Sequence, residues 1–337
     1  MKKIYNRILI VRLSALGDAA LTLPLLFALR MKMPAADIGW VVDETVVPLL
    51  EGLPQLNRIH VWKKRERNLL GLWRLAREIH SEGYELSIDT QGLARSAVLP
   101  FCAKIPERVG FMPAPLEGRE LSSLLTNRRV SPPAELTHVC ARTLYLGRAL
   151  GLDMPLHMPV QLPRKKGAEI KMENWWEENR LPSRTMIFGI GAGWPTKMWP
   201  VKEMAVLPKE AEKTGFQCVV LWGPYEKHRI GEWRTLLGDT VLWAPPTDIH
   251  EMIALLRLCK RYAGPDSAAL HLAWLLGKPT FSWFGASDPA RCAPYGTLHA
   301  FVAKGPHTWS RKESSPTGLQ TLTGEEAVAS FKKWLTQ

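Results

Sequence analysis

The stretch that decides the fold spans residues 8–30 and reads ILIVRLSALGDAALTLPLLFALR. It opens with the apolar run Ile8–Val11 and continues, after a Gly17-Asp18 pair, into a leucine-rich segment with helical character. A continuous apolar run before a helix is typical of a buried strand in a parallel sheet. The residues alone leave two explanations for the carboxylate beyond it. Asp18 either caps the next helix, as Ser14 also can, or faces a ligand at the carboxyl edge of the sheet.

The same alternation of short apolar runs and longer helical patterns continues through the chain. We predict strands at Arg7–Leu13, Ile38–Val42, Leu86–Asp89, Arg108–Gly110, Met186–Ile190, Gln217–Leu221, Thr240–Trp243, Arg261–Gly264 and Thr280–Trp283. We predict helices at Ala19–Met31, Asn68–Ser81, Val201–Thr214, Glu226–Leu237, Asp248–Leu258 and Ala268–Leu276. This order predicts an α/β protein with two Rossmann-like, doubly wound parallel-sheet domains that face a central cleft.

The length of 337 residues agrees with two domains. We expect a first domain over residues 1–163 and a linker over 164–184, within the stretch 159–185 that is rich in proline and charge at its ends. A second domain is expected over 185–322, and the amphipathic pattern of 323–337 predicts a C-terminal helix.

Composition limits the class of protein and its partners. The net charge of +12 favours a polyanionic partner, which is a nucleic acid, an anionic membrane surface or a phosphorylated substrate. The five cysteines are scattered without a CxxC pair, which predicts reduced thiols and no zinc site. No apolar run is long enough for a membrane span and no signal peptide is recognisable, so we expect a cytoplasmic protein.

A candidate anion site lies at residues 261–289, RYAGPDSAALHLAWLLGKPTFSWFGASDP. A predicted strand ends before Asp266, and a predicted helix begins at Ala268. The unpaired backbone N–H groups at that helix start, together with the helix dipole, suit a diphosphate. Asp266 suits sugar hydroxyls, although it or Ser267 can instead cap the helix. His271, one turn further on, either lines this pocket or belongs to the core.

Two other strand ends carry candidate donor contacts. Residues 189–200, GIGAGWPTKMWP, combine three glycines with Lys197, whose charge suits a phosphate. The segment is neither a Walker loop nor a GxGxxG motif, which disfavours an ATPase or a nicotinamide dehydrogenase. Glu226 follows the strand 217–221, where a carboxylate can bind both ribose hydroxyls or merely favour the start of a helix.

Together these loops resemble the donor domain of the family 9 glycosyltransferases, the bacterial lipopolysaccharide heptosyltransferases. The resemblance rests on PTKMWP (195–200), WGPYEKH (222–228) and PDSAALHLAWLLGKPTFSWFGASDP (265–289). ILIVRLSALGDAALTLPLL (8–26) is similar to the start of that family, and IDTQGLARSAVL (88–99) is similar to its heptosyltransferase I branch. One departure is Ala268, where the family usually has glycine.

The resemblance implies a GT-B fold and an inverting transfer that needs neither a metal nor a cofactor. It implies ADP-L-glycero-D-manno-heptose as donor and Kdo of Kdo2-lipid A as acceptor. The residues implied to bind the donor are Gly193, Lys197, Glu226, Thr247, Asp266, Ser267, Ala268 and His271. Lys197 would hold the phosphates, Asp266 the heptose and Glu226 the ribose, while Asp18 would be the catalytic base.

An anionic acceptor suits the basic residues of the first domain. The segment WKKRERN (62–68) places four of them within five positions. The candidate acceptor contacts are Arg12, Lys63, Lys64, Arg65, Arg67, Arg95 and Arg119, with Arg128 and Arg129 nearby in sequence. Such an acceptor predicts peripheral contact with the anionic cytoplasmic face of the inner membrane and no nucleic-acid partner. The alternative for 62–68 is an ordinary solvated basic loop.

Two alternative functions stay open. A transferase of the same fold could move another nucleotide sugar to a lipopolysaccharide core, because the motifs specify a nucleotide diphosphate better than they specify heptose. A polyanion-binding protein without catalysis is favoured only by the charge. No helix-turn-helix, RRM or zinc-finger signature supports nucleic-acid binding.

Overall fold

The computed structural model describes residues 4–112, 122–152, 154, 158–224, 226–227, 230–238, 241–307 and 318–337. The chain divides into two compact units, residues 1–163 and 164–337. Each unit contains one six-stranded sheet in which all neighbouring strands are parallel. The structure therefore confirms the predicted α/β class and the two doubly wound sheets.

The first unit alternates strands and helices. Its strands are β1 (Arg7–Val11), β2 (Asp37–Asp43), β3 (Arg58–Trp62), β4 (Leu86–Asp89), β5 (Glu107–Phe111) and β6 (Arg128–Val130). Its helices are α1 (Leu16–Ala20), α2 (Leu23–Lys32), α3 (Val47–Leu50), α4 (Leu69–Ser81), α5 (Ala94–Cys102), α6 (Ser122–Leu125) and α7 (Val139–Ala149). The sheet order is β3-β2-β1-β4-β5-β6.

The second unit repeats this plan. Its strands are β7 (Thr185–Gly189), β8 (Gln217–Leu221), β9 (Val241–Trp243), β10 (Arg261–Pro265), β11 (Thr280–Phe284) and β12 (His299–Ala303). Its helices are α8 (Lys166–Glu178), α9 (Val201–Met204), α10 (Val206–Lys213), α11 (Ile230–Leu237), α12 (Ile249–Leu258), α13 (Ala268–Leu275), α14 (Pro289–Cys292) and α15 (Gly324–Leu335). The sheet order is β12-β11-β10-β7-β8-β9.

Both sheets reverse their strand order at one place. In the first unit the reversal lies between β1 and β4, and in the second unit it lies between β7 and β10. Loops leave these neighbouring strands in opposite directions, so a crevice opens beyond their carboxyl ends, where open α/β sheets bind ligands. The residues after β1, β4, β7 and β10 are therefore the places to look for function.

Three strands escaped prediction, and all three lie at sheet edges. They are β3, β6 and β12. An edge strand is covered less than a central one, so its sequence lacks a continuous apolar run. Partly exposed positions interrupt each of the three.

Two predicted helices are divided in the structure. The segment predicted as one helix over 19–31 forms α1 and α2, because Pro24 cannot donate a backbone hydrogen bond within a continuous helix and stands instead in the first turn of α2. The helix predicted over 201–214 likewise forms α9 and α10. The helix predicted to begin at Glu226 begins at Ile230 among the described residues.

The segment expected to be a linker, residues 164–184, belongs to the second unit. Its helix α8 is tied to α12 by ion pairs of Lys171 with Glu251 (2.7 Å) and of Arg257 with Glu169 (3.3 Å). The C-terminal helix α15 packs into the core of the same unit. The ring of its Phe331 lies 5.0 Å from that of Phe281 on β11. Within the described ranges, no helix is both long and apolar enough to cross a membrane.

Candidate active site

The short helix α1, which follows the loop after β1, carries Asp18, the predicted catalytic base, whose side chain is 43% exposed. Arg12, directly after β1, places its Nη2 2.6 Å from Asp18 Oδ2, and its Nη1 donates to the Thr90 carbonyl oxygen at 2.7 Å. Among the residues that the structure describes, Asp18 Oδ1 has no hydrogen-bond partner. The carboxylate is thus oriented through one oxygen while the other stays open to a bound molecule.

The structure excludes an N-cap role for either Asp18 or Ser14. The N-cap of α1 is Ala15, and Asp18 is the third helical residue, whose Oδ2 lies 3.4 Å from the Ala15 amide nitrogen. Ser14 accepts a hydrogen bond from Arg95 Nη2 at 2.9 Å. Arg12, predicted to bind the acceptor, is 8% exposed and is engaged with Asp18 and Thr90 instead.

Two buried residues at the carboxyl end of β4, which the sequence analysis did not single out, order the loops at this end of the sheet. Asp89 accepts hydrogen bonds from the Gln91 and Gly92 amides and from the Ser96 hydroxyl. Burial raises the pKa of Asp89, and these hydrogen bonds oppose that effect. Gln91 Oε1 accepts the amide of Leu13 at 2.8 Å, which joins the loop after β4 to the loop after β1. The sequence contained a signal for Asp89 and Gln91, because both are polar residues at the end of an apolar strand.

Asp43, at the end of β2, was also missed, because the predicted strand ended one residue earlier. Its Oδ1 lies 2.7 Å from Arg67 Nη2. Burial raises the pKa of Asp43 above its ordinary value. The charges of Arg67 and Arg95 and a hydrogen bond with Ser14 oppose this rise only in part. Asp43 therefore lies close to two of the predicted acceptor-binding arginines, Arg67 and Arg95, near the start of α1, which carries Asp18. We call Arg12, Ser14, Asp18, Asp43, Arg67 and Arg95 the strand-end cluster.

The other basic residues lie apart from this cluster. Lys63, Lys64 and Arg65 follow β3 and are exposed. Arg128 pairs with Glu107 at 2.7 Å, and Arg129 donates to the Ser123 carbonyl oxygen, so both have partners within the first unit. Arg119 lies outside the described residues.

In the second unit, three of the predicted donor-binding residues meet at the ends of β7 and β10. Lys197 Nζ lies 2.5 Å from Asp266 Oδ2, and His271 Nε2 lies 3.1 Å from Asp266 Oδ1. The side chain of Asp266 is 5% exposed. Burial alone would raise its pKa, but the His271 hydrogen bond and the Lys197 charge outweigh burial and lower it below the ordinary value. Asp266 is thus an ionised, buried carboxylate between two cationic or hydrogen-bonding groups.

The structure shows that Asp266 does not cap α13. The N-cap of α13 is Ser267, which makes no side-chain cap bond, and Asp266 faces Lys197 rather than the helix amides. Ala268 begins α13 and is not among the described residues with positive φ, so its methyl group strains no backbone angle. His271 is buried and holds Asp266, while its Nδ1 has no hydrogen-bond partner within the described ranges.

The three glycines after β7 have different reasons for being glycine. A Cβ at Gly189 would lie 2.1 Å from the Tyr262 hydroxyl, and a Cβ at Gly191 would lie 2.4 Å from the Glu226 carboxylate. Only Gly193 has open space where a side chain would stand. Two of the three are therefore required by the protein's own side chains, and Gly193 is the one left free to approach a ligand.

Glu226 and Thr247 are the other two polar side chains after β8 and β9 that were predicted to bind the donor. Glu226 is 4% exposed, and its Oε2 accepts the Gly223 amide at 2.8 Å, so it is fixed between the loops after β7 and β8. Thr247 is half-buried and precedes Asp248, the N-cap of α12. Among the described residues, no three His, Cys, Asp or Glu side chains converge as metal ligands would.

The fold and these two centres can be compared with known proteins. A glycosyltransferase family 9 (heptosyltransferase) model matches residues 72–319. The chain is 30% identical over 303 residues to lipopolysaccharide heptosyltransferase 1 of Pseudomonas aeruginosa, covering 86% of this chain and 81% of that protein. It is 25% identical to lipopolysaccharide heptosyltransferase 2 of Salmonella typhimurium, covering 84% of each.

The structure is similar to that of E. coli heptosyltransferase WaaC with ADP-2-deoxy-2-fluoro heptose. The TM-score is 0.72 at 22% identity, over 97% of this chain and 99% of that one. Two Rossmann-like units of this kind form the GT-B fold. The chain belongs to glycosyltransferase family 9, the heptosyltransferase family.

Proposed function

We propose that this glycosyltransferase moves heptose from ADP-L-glycero-D-manno-heptose to Kdo of Kdo2-lipid A in the lipopolysaccharide inner core. The observation that carries the proposal is the trio of Lys197, Asp266 and His271 beside the start of α13. It offers a cation for a diphosphate and a fixed carboxylate for sugar hydroxyls. The names of the similar proteins support heptose and lipopolysaccharide as donor sugar and acceptor class.

On the donor side, Lys197 has two tasks. Before the donor binds, its ammonium neutralises Asp266. When the diphosphate arrives, the same ammonium and the free amides of α13 bind its oxygens, while Asp266 accepts hydrogen bonds from the sugar. Ser267 and Ala268 supply amides at the helix start, Gly193 gives the diphosphate room and Glu226 holds the ribose. Thr247 borders the nucleotide.

The transfer itself is an inverting displacement that needs no metal ion. The acceptor hydroxyl oxygen forms a bond to the anomeric carbon as the bond from that carbon to the ADP oxygen breaks. The electron pair of the broken bond leaves with ADP, whose growing charge Lys197 and α13 stabilise. The hydroxyl proton goes to Asp18 Oδ1, while Arg12 holds Oδ2 and fixes the direction of the carboxylate.

The acceptor is recognised by charge in the first unit. Arg67 and Arg95 stand in the strand-end cluster beside Asp18 and suit the Kdo carboxylates. Lys63, Lys64 and Arg65 are exposed after β3 and suit the phosphates of lipid A. An acceptor embedded in a bilayer requires peripheral contact with the inner membrane, and the excess of positive charge favours its anionic surface.

Charge reversal at residues 63–65 tests this division of labour. We expect K63E/K64E/R65E to raise the KM for the acceptor at least tenfold, because three attractions to lipid phosphates become repulsions. The Kd for the donor should stay within twofold, because the donor binds the second unit. Steady-state rates and calorimetric titration with ADP measure the two effects. The matched control is K165E/K166E, a charge reversal at the start of α8, and equal loss of ADP binding in K63E/K64E/R65E would contradict the assignment.

The reaction is tested directly by incubating the protein with ADP-heptose and Kdo2-lipid A in the presence of EDTA. Mass spectrometry should show the acceptor gaining one heptose. A gain only after a divalent metal is added would overturn the metal-independent transfer. A gain only on an acceptor that already carries heptose would overturn Kdo as the acceptor. A gain from another nucleotide sugar alone would overturn the donor.

A further inference from the structure

The first turn of α4 exposes an unusual amount of apolar surface. Leu69, Leu70 and Trp73 are 78%, 79% and 67% exposed, respectively. They are three of the five most exposed large apolar side chains among the described residues. Isolated exposed apolar side chains are ordinary on protein surfaces, but three within five residues of one helix form a patch.

Packing on a different side of α4 keeps these side chains outside. Leu75, Ala76 and Ile79 lie in the core of the first unit with Leu9 and Val11. At about 100° per residue, Leu69, Leu70 and Trp73 span an arc of about 100°, whose centre lies about 120° from the centre of that buried face.

The start of α4 is also fixed. The Asn68 side chain accepts the Gly71 amide at 2.8 Å. A Cβ at position 71 would come within 1.8 Å of the Glu66 carbonyl oxygen, so the backbone is packed closely there. Leu69 and Leu70 therefore cannot turn inward without unfolding the start of the helix.

Positive charge surrounds the apolar patch. Residues 62–77 contain six cationic side chains and one carboxylate. That carboxylate, Glu66, lies 3.8 Å from Arg74 and 3.9 Å from Arg65, and both arginines are more than 70% exposed. Arg77, one turn after Trp73, is also exposed. We call Lys63, Lys64, Arg65, Leu69, Leu70, Trp73, Arg74 and Arg77 the α4 docking face.

We propose that the α4 docking face inserts into the interfacial region of an anionic lipid bilayer. Leu69, Leu70 and Trp73 enter the boundary between head groups and acyl chains, and the surrounding cations contact lipid phosphates. A helix start that exposes leucine and tryptophan, with arginine on the same helix and lysine in the segment before it, has the composition that binds at such interfaces. A nucleic acid would match the charge but would leave the leucines in water.

The position of this face deepens the proposed function, on which the inference rests. Arg67 lies between Arg65 and Leu69 in the chain and pairs with Asp43 in the strand-end cluster. A lipid whose acyl chains remain in the bilayer at the α4 docking face would present its head group towards Arg67 and Asp18. Membrane insertion would thus bring the Kdo end of the acceptor towards the proposed base.

Vesicle binding tests the inference without requiring any transfer reaction. The full chain is sedimented with vesicles of phosphatidylethanolamine and phosphatidylglycerol, and with vesicles of phosphatidylcholine alone. We expect the partition coefficient for the anionic vesicles to fall at least tenfold in L69Q/L70Q/W73Q. The matched control is Leu124→Gln, which removes an apolar side chain on α6 that is 67% exposed. It should bind vesicles as the native protein does.

A second readout separates insertion from purely electrostatic attraction. In about 1 M salt the Debye length falls to about 3 Å, which screens the cations but not burial of the leucines. Native protein should keep measurable binding to anionic vesicles there, and L69Q/L70Q/W73Q should have none. L69Q/L70Q/W73Q should also lose turnover on vesicle-bound acceptor but keep turnover on acceptor from which the acyl chains were removed.

Three results would overturn the inference. One is vesicle binding by L69Q/L70Q/W73Q equal to that of native protein. Another is complete loss of native binding in high salt. The third is self-association of the native protein that disappears in L69Q/L70Q/W73Q while no vesicle binds, which would assign the face to a second copy of the chain. Vesicle binding as proposed, without heptose transfer, would leave the inference standing and reject the proposed reaction.

Discussion

Replacing Asp18 with asparagine should lower kcat about 10³-fold while the protein folds normally. A general base that accepts a proton in the transition state typically contributes 10²- to 10⁴-fold to the rate. Asparagine has almost the same shape but cannot take up the proton. Its side-chain oxygen can still accept from Arg12, which keeps its second hydrogen bond to Thr90.

The stability cost of Asp18→Asn should be small. The Asp18 side chain is 43% exposed, so its ion pair with Arg12 is screened by water and contributes at most about 1 kcal/mol. Urea unfolding should show an almost unchanged midpoint, and the Kd for ADP should not change. Initial rates with saturating donor and acceptor then isolate the chemical step.

The matched control is Asp37→Asn, the same substitution at the amino-terminal end of the strands of the same sheet. Asp37 begins β2 and is exposed. This variant should keep native turnover. If Asp18→Asn retained turnover within tenfold of native, another group would have to accept the proton. If it lost ADP binding as well, Asp18 would act on the donor and not only on the acceptor.

The central strands and their loops could be predicted because burial dictates their sequences. β1, β7 and β10 are covered on both faces, so they read as nearly continuous apolar runs that end in polar or glycine residues. The strand boundary therefore also located Asp18 and Asp266. Edge strands such as β3 could not be predicted in this way, because solvent at one side permits polar residues within the strand.

The sequence could not predict which charged residues form ion pairs with one another. Lys197 and Asp266 were each singled out for a ligand, but their contact joins positions 69 residues apart. Such a contact depends on which strands are neighbours, and the sheet order places β7 beside β10. The contacts of Arg12 with Asp18 and Thr90 could not be predicted for the same reason, since nothing in its charge distinguishes an intramolecular partner from a substrate.

The second large effect is expected at Lys197. Lys197→Met should lower kcat/KM by about 10²- to 10³-fold, because the leaving diphosphate loses the cation that stabilises its developing charge. The same variant should destabilise the second unit by about 3 kcal/mol. Asp266, whose side chain is 5% exposed, would remain ionised and buried. Of the two contacts that lower its pKa, only the one with His271 would remain.

The pH dependence of that destabilisation has a definite sign. The pKa of folded Asp266 is lowered, so its pairing stabilises the protein fully above the unfolded value of about 3.9. This stability is lost as pH falls from there through the lower folded pKa. The difference in unfolding free energy between native protein and Lys197→Met should therefore be constant from about pH 8 to 5. It should shrink only in stronger acid.

The double variant K197M/D266N separates the structural role of the pair from its role in catalysis. Removing both charges leaves no unpaired buried ion, so most of the lost stability should return. Activity should not return, because no cation faces the diphosphate. The control Lys171→Met breaks a more exposed ion pair with Glu251 in the same unit and should cost at most about 1 kcal/mol. Recovered activity in the double variant would mean that the transfer needs neither the Lys197 ammonium nor the Asp266 carboxylate, and would overturn both assignments.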